Sequence, residues 1–142
     1  MKSAFLLRTG LSTLSTEVAV PLFVGGSTFG LLLLAFPPRN LPETAFVFLL
    51  PSLAWLIRRP PWKTVVATFL LCGWIYHLAL LWWMRHVTFA GMAMTSLLLA
   101  IYLLPWFMLA RWSLPRAAEG GFGKRLATGI LLSGTWVVIE WA

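Results

Sequence analysis

Glu140, in the run Thr135-Trp136-Val137-Val138-Ile139-Glu140-Trp141, is the carboxylate best placed for chemistry, because an acid near the end of an apolar helix has to reach water, a cation or another polar group. Glu17 reads instead as a helix-start residue, where the positive end of the helix dipole favours an anion. His77 falls near the middle of another apolar run and, facing a bundle interior, offers a proton carrier or a haem ligand. A haem draws its ligands from facing helices, whereas His86, the other of two histidines, lies past the end of the same run beside Arg85. A structural histidine bonded to a polar neighbour is the simpler role. Cys72 is the single cysteine, which rules out an internal disulfide, and Leu70-Leu71-Cys72-Gly73 is an apolar neighbourhood unsuited to an activated nucleophile. The chain carries no Ser/His/Asp set, no metal-ligand spacing and no phosphate-binding loop, so no catalytic residue, metal or cofactor is assigned.

The elements that must position these groups are set by lipid. Hydrophobic residues make up 60% of the chain and charged residues 11%, and the mean hydropathy is +0.86, a surface that no ordinary soluble domain presents to water. The 142 residues leave room for one domain of roughly 20-residue spans. The formal net charge is +7, but the eleven Lys and Arg residues sit in short clusters between apolar runs rather than along one helical face. That pattern is a topology signal and excludes nucleic acid as the expected partner. Several of the nine Trp residues, among them Trp55, Trp62, Trp82, Trp83, Trp112 and Trp141, lie near run ends, as interfacial aromatic belts do.

Five spans are expected. The first, about 18–36, takes Ser15 or Thr16 as N-cap, stops at Phe36-Pro37-Pro38, and carries a Gly26/Gly30 pair that lets another helix approach closely. The second, 44–57, opens on Asn40-Leu41-Pro42-Glu43 with Asn40 as N-cap and Glu43 as its capping-box partner. It is short, and Pro51 should kink it, so a re-entrant hairpin is the alternative. The third and fourth are 64–84 and 92–110, the latter kinked at Pro105; a polar, glycine-rich loop over 111–125 precedes the fifth, 126–142. Residues 1–16 read as a retained cytoplasmic leader. Five crossings place Lys2, Arg8, Arg58, Arg59, Lys63, Arg111, Arg116, Lys124 and Arg125 on one side and only Arg39 and Arg85 on the other. The fold class is therefore an all-α integral membrane bundle of about five transmembrane helices, a single domain over 1–142, with its N-terminus cytoplasmic.

The order of particular motifs adds a resemblance. A first helix closes on Leu34-Ala35-Phe36-Pro37-Pro38-Arg39-Asn40-Leu41-Pro42 and a short helix carries Leu50-Pro51. Gly73-Trp74 and Trp82-Trp83 lead into an outer loop, and the chain closes on Trp136-Val137-Val138-Ile139-Glu140-Trp141. From Val18 onward this resembles the N-terminal membrane region of bacterial apolipoprotein N-acyltransferases. The resemblance implies a multi-pass protein of the bacterial inner membrane, with membrane phospholipid as acyl donor and a lipoprotein's diacylglyceryl-cysteine amino group as acceptor. It also implies that the Glu, Lys and Cys of a nitrilase-like periplasmic domain do the chemistry, and that this domain would lie beyond Ala142. Cys72 does not match that nucleophile. Glu140, His77, Gly91 and Trp136 are then structural or lipid-side candidates. Gly91, in Phe89-Ala90-Gly91-Met92, stands where the family habit is paired glycines, and Glu140 is expected to pair with a basic residue following Glu-Trp.

The expectation is thus the membrane anchor of such an enzyme, inactive alone, since acyl transfer through a thioester needs an activated thiolate and a base. The alternative is a small self-contained scaffold or oligomeric transporter subunit, for which His77 would be the midplane polar site.

Overall fold

The computed structural model describes the backbone of residues 2–141 and the side chains of residues 17–141. The side chains of Lys2 and Arg8, and Ala142, lie outside the described residues. Five α-helices follow in order: α1 (Lys2–Leu34), α2 (Leu50–Leu56), α3 (Trp62–Leu80), α4 (Phe89–Ala118) and α5 (Phe122–Trp141). Two 3₁₀ segments, Pro42–Phe46 and Trp82–His86, join them, and no strand occurs among the described residues. The all-helical expectation holds. Among the described residues, three stretches are long and apolar enough to cross a membrane: Glu17–Leu34, Trp62–Leu80 and Phe89–Ala118. The fifth expected span forms α5, but Lys124, Arg125 and Glu140 dilute its apolar content and it is not among those three.

Several boundaries move for local reasons. Helix α1 runs on through Ser15 and Thr16, so no helix begins there to be capped. Asn40 is not an N-cap: it has φ 51° in the turn after α1, a left-handed conformation that asparagine tolerates better than most residues. The 3₁₀ segment that follows starts at Pro42 without a side-chain cap. Pro51 does not kink a helix; it occupies the first turn of α2, where its missing N–H costs nothing. The 3₁₀ rise of about 2 Å per residue covers more distance than an α-helix would, which helps so short a segment run the depth of the bundle. Helix α4 absorbs most of the expected 111–125 loop, leaving only 119–121 between it and α5. Its start is capped by Thr88, whose Oγ1 accepts from the Gly91 N–H at 2.9 Å.

Contacts fix the arrangement. Helices α1 and α3 run parallel, with Gly25 against Thr68 and Cys72, and Phe29 against Gly73 and Tyr76. Helix α4 returns antiparallel to α3, so that Phe69 stacks on Phe107 at 3.7 Å between ring centroids and the Trp74 indole donates to the Ala93 carbonyl. Helix α5 returns antiparallel to α4, the Trp106 indole donating to the Leu132 carbonyl at 2.9 Å. Helix α2 descends beside α1, joined to it by a 2.6 Å hydrogen bond between the hydroxyls of Thr28 and Ser52, both fully buried. In lipid, such a pair satisfies two groups that would otherwise have only hydrocarbon for neighbours.

The close helix approach is at Gly25, where a Cβ would sit 2.6 Å from Cys72 Sγ. Gly26 and Gly30, the expected contact pair, face outward with no neighbouring atom near their would-be Cβ among the described residues. The core is aromatic, built on Phe29, Trp55, Phe69, Tyr76, Trp106 and Phe107, while Phe23, Leu98 and Ile130 are at least 65% exposed. Apolar side chains on both the inside and the outside fit a bundle whose solvent is lipid.

Candidate functional site

The two ends of the bundle differ in charge. At one end Arg59 pairs with Glu119 at 2.7 Å, bringing the α2–α3 turn against the end of α4. Beside it the Arg111 Nε donates to the Pro60 carbonyl at 2.5 Å, and the Arg111 guanidinium lies 4.0 Å from the Trp62 ring centroid. Arg125 donates to the Ala118 carbonyl. Arg116 likewise bonds the Trp112 carbonyl and covers the Trp112 ring. The basic residues counted on one side from sequence, those among the described side chains, therefore gather structurally at one end. Arg39 and Arg85 share the other, because α1 and α3 are parallel.

All four expected site residues lie toward the Arg39 and Arg85 end, His77 in the last turn of α3 rather than near the middle of its span. Glu140 is exposed and accepts from the Trp136 indole at 2.9 Å, one helical turn away on α5. Trp136 also packs edge-on against Trp106, with centroids 5.5 Å apart, and against Phe48 at 6.2 Å. Gly91 serves the first turn of α4; a Cβ there would meet Thr88 Oγ1 at 3.2 Å, so its small size suits the cap. His77 sits in the last turn of α3, buried, with Nδ1 bonded to the Gly73 carbonyl at 2.7 Å and its ring edge-on to Tyr76. Since a carbonyl can only accept, that nitrogen carries the proton. His77 and Glu140 are not brought together: α5 packs on α4, and among the described residues it does not touch α3.

Cys72 is buried between α1 and α3. Among the described residues no group of His, Cys, Asp or Glu could hold a metal ion. The buried Ser96 hydroxyl is the one buried side-chain polar atom without a partner among them.

A cleft of about 730 Å³ lies between α2 and α5, floored by α4. Leu53, Trp106, Leu132 and Val137 give it an apolar wall, Phe48 and Trp136 bridge it toward the Glu140 end, and Arg125 stands at the basic end. Sequence reasoning missed this cleft, since the packing of a seven-residue helix against α1 and α4, clear of α5, leaves no mark in local pattern. It also missed Arg111 as a clamp, having weighed it only as a charge. The arrangement as a whole positions apolar surface and orients one interfacial carboxylate; among the described residues it holds no nucleophile beside a base.

A family model described as the apolipoprotein N-acyltransferase N-terminal domain matches residues 30–142. No curated protein and no solved structure matches the chain significantly.

Proposed function

This chain belongs to the apolipoprotein N-acyltransferase N-terminal domain family, and from that premise we propose that it forms the membrane part of an enzyme that moves an acyl chain from phospholipid to the amino group of a lipoprotein's diacylglyceryl-cysteine. The observation that carries the reading is the match over residues 30–142. The bundle agrees with it in chemistry, because it offers apolar surface and no reacting group. The Cys72 thiol is buried between α1 and α3 against Gly25, an apolar setting that does not suit an activated nucleophile. The chain alone is inactive in this reading. Its place is the bacterial inner membrane, multi-pass, with the basic end cytoplasmic and the Glu140 end facing the periplasm, where the acyl acceptor is found.

His77 supports the same view over a transporter, since a ring nitrogen bonded to its own helix's carbonyl is held in place rather than presented to a path. The test is a chimera in which residues 30–142 replace the corresponding membrane region of a full-length family member, assayed in liposomes for N-acylation of a diacylglyceryl peptide. Turnover above that of the catalytic region alone is the expected result. A chimera that folds and inserts normally yet gives no turnover would overturn the proposal.

A further inference from the structure

We infer that the cleft between α2 and α5 is a binding site for an anionic phospholipid, taken from the leaflet at the basic end of the bundle. This goes beyond acyl transfer and does not depend on it, because Arg125, the charged residue lining the cleft, stands at the end opposite Glu140. The cleft runs along α5 from Arg125 to Val137, twelve residues and therefore about 18 Å. That is close to the roughly 15 Å depth of one hydrocarbon leaflet.

Its chemistry selects the occupant. Leu53, Trp106, Leu132 and Val137 give the cleft an apolar wall, against which a non-helical peptide would leave its amides unsatisfied, whereas polymethylene chains carry no such groups. Arg125 supplies the charge complementarity at the basic end. Its guanidinium has five N–H groups, of which one is bonded, to the Ala118 carbonyl, among the described residues. Lys124 adjoins it in the same turn. Arg125 would meet a phosphate at headgroup level, with the lipid tails directed toward Trp106 and Trp136, whereas Lys124 faces the neighbouring concavity beside Trp112 and Glu119.

The test uses the full 142-residue chain in detergent, titrated with phosphatidylglycerol or with zwitterionic phosphatidylcholine and read by native mass spectrometry. Phosphatidylglycerol is expected to bind tighter, and Arg125→Gln to weaken it about fivefold, as loss of one cation near an anionic lipid does. Gly129→Phe should abolish binding while every charge remains, because Gly129 lines the cleft with open space at its would-be Cβ. Arg85→Gln, at the other end, should change nothing. Equal binding of both lipids, an unchanged affinity in Arg125→Gln, or a dimer mass that Gly129→Phe disperses would each overturn the inference. Should Gly129→Phe fail to fold, the Arg125→Gln and lipid comparisons still decide it. They also stand apart from acyl transfer, which none of these measurements reads.

Discussion

Replacing Gly25 by alanine tests whether the helix approach lies where the structure puts it. An added Cβ would stand 2.6 Å from Cys72 Sγ and 2.9 Å from Thr68 Cγ2, against a favourable separation of about 3.5–4.0 Å. Helices α1 and α3 would have to part by about 1 Å, and overpacking of that kind costs about 1–3 kcal/mol. Alanine returns up to ~1 kcal/mol of helix preference, so the net loss is on the order of 1–2 kcal/mol. Gly26→Ala and Gly30→Ala meet nothing within 4 Å and should be neutral or slightly stabilising. The gap of about 2 kcal/mol between the two classes is roughly thirtyfold in the folded-to-unfolded ratio. Reversible unfolding in mixed micelles, followed by helical circular dichroism, measures it. Adding Cys72→Ala to Gly25→Ala should restore only part of the loss, since the Thr68 methyl remains at 2.9 Å. If Gly25→Ala matches the parent while Gly26→Ala and Gly30→Ala lose stability, the helix contact has been put on the wrong face of α1.

Ser52→Ala should cost about 1 kcal/mol in the same unfolding assay, because it leaves the fully buried Thr28 hydroxyl unpaired; Thr28→Val with Ser52→Ala should recover most of that loss. Arg111→Lys is expected to loosen the α2–α3 turn nearly as much as Arg111→Ala, since a lysine cannot keep the planar stack on Trp62 while bonding the Pro60 carbonyl; faster trypsin cleavage after Arg58 in detergent would report it, and parental cleavage rates in Arg111→Lys would refute it. Glu140→Gln should leave the stability of this chain unchanged, as the amide oxygen can still accept from the Trp136 indole. In a full-length relative the same substitution separates that bond from an ion pair: lowered folding yield or activity would mean a cation partner, and unchanged yield and turnover would dismiss one.

Much of the helical plan was legible because lipid imposes simple rules. Long apolar runs flanked by basic clusters mark α1, α3 and α4, and Phe36-Pro37-Pro38 and Pro60-Pro61 mark where helices stop and start. The details that failed depend on neighbours. Gly25, Gly26 and Gly30 are alike in sequence, and only the rotation of α1 against α3 decides which one meets Cys72. Pro51 reads as a kink in any continuous helix; that the chain breaks at 47–49 and restarts with Pro51 in the first turn is set by the packing of Trp55 and Ser52 below it. At the candidate site Glu140 and Trp136 were legible as parts of the closing Trp136–Trp141 motif, but the bond from the Trp136 indole to the Glu140 carboxylate one turn on was not, the expected partner of Glu140 being a basic residue. The cleft and Arg125's place in it were not, because α2 and α5 are distant in sequence and defined by the space between them.

Orientation is the most direct test of the proposed role: a bundle that serves as the membrane part of an outward-facing acyltransferase would carry its Glu140 end to the periplasm. In a Cys72→Ala background, His86→Cys and Gly121→Cys lie at opposite ends of the bundle and can be labelled in intact cells with a membrane-impermeant maleimide. Labelling of His86→Cys in intact cells, and of Gly121→Cys only after lysis, is the predicted result; the reverse pattern, or labelling of both from outside, would contradict it.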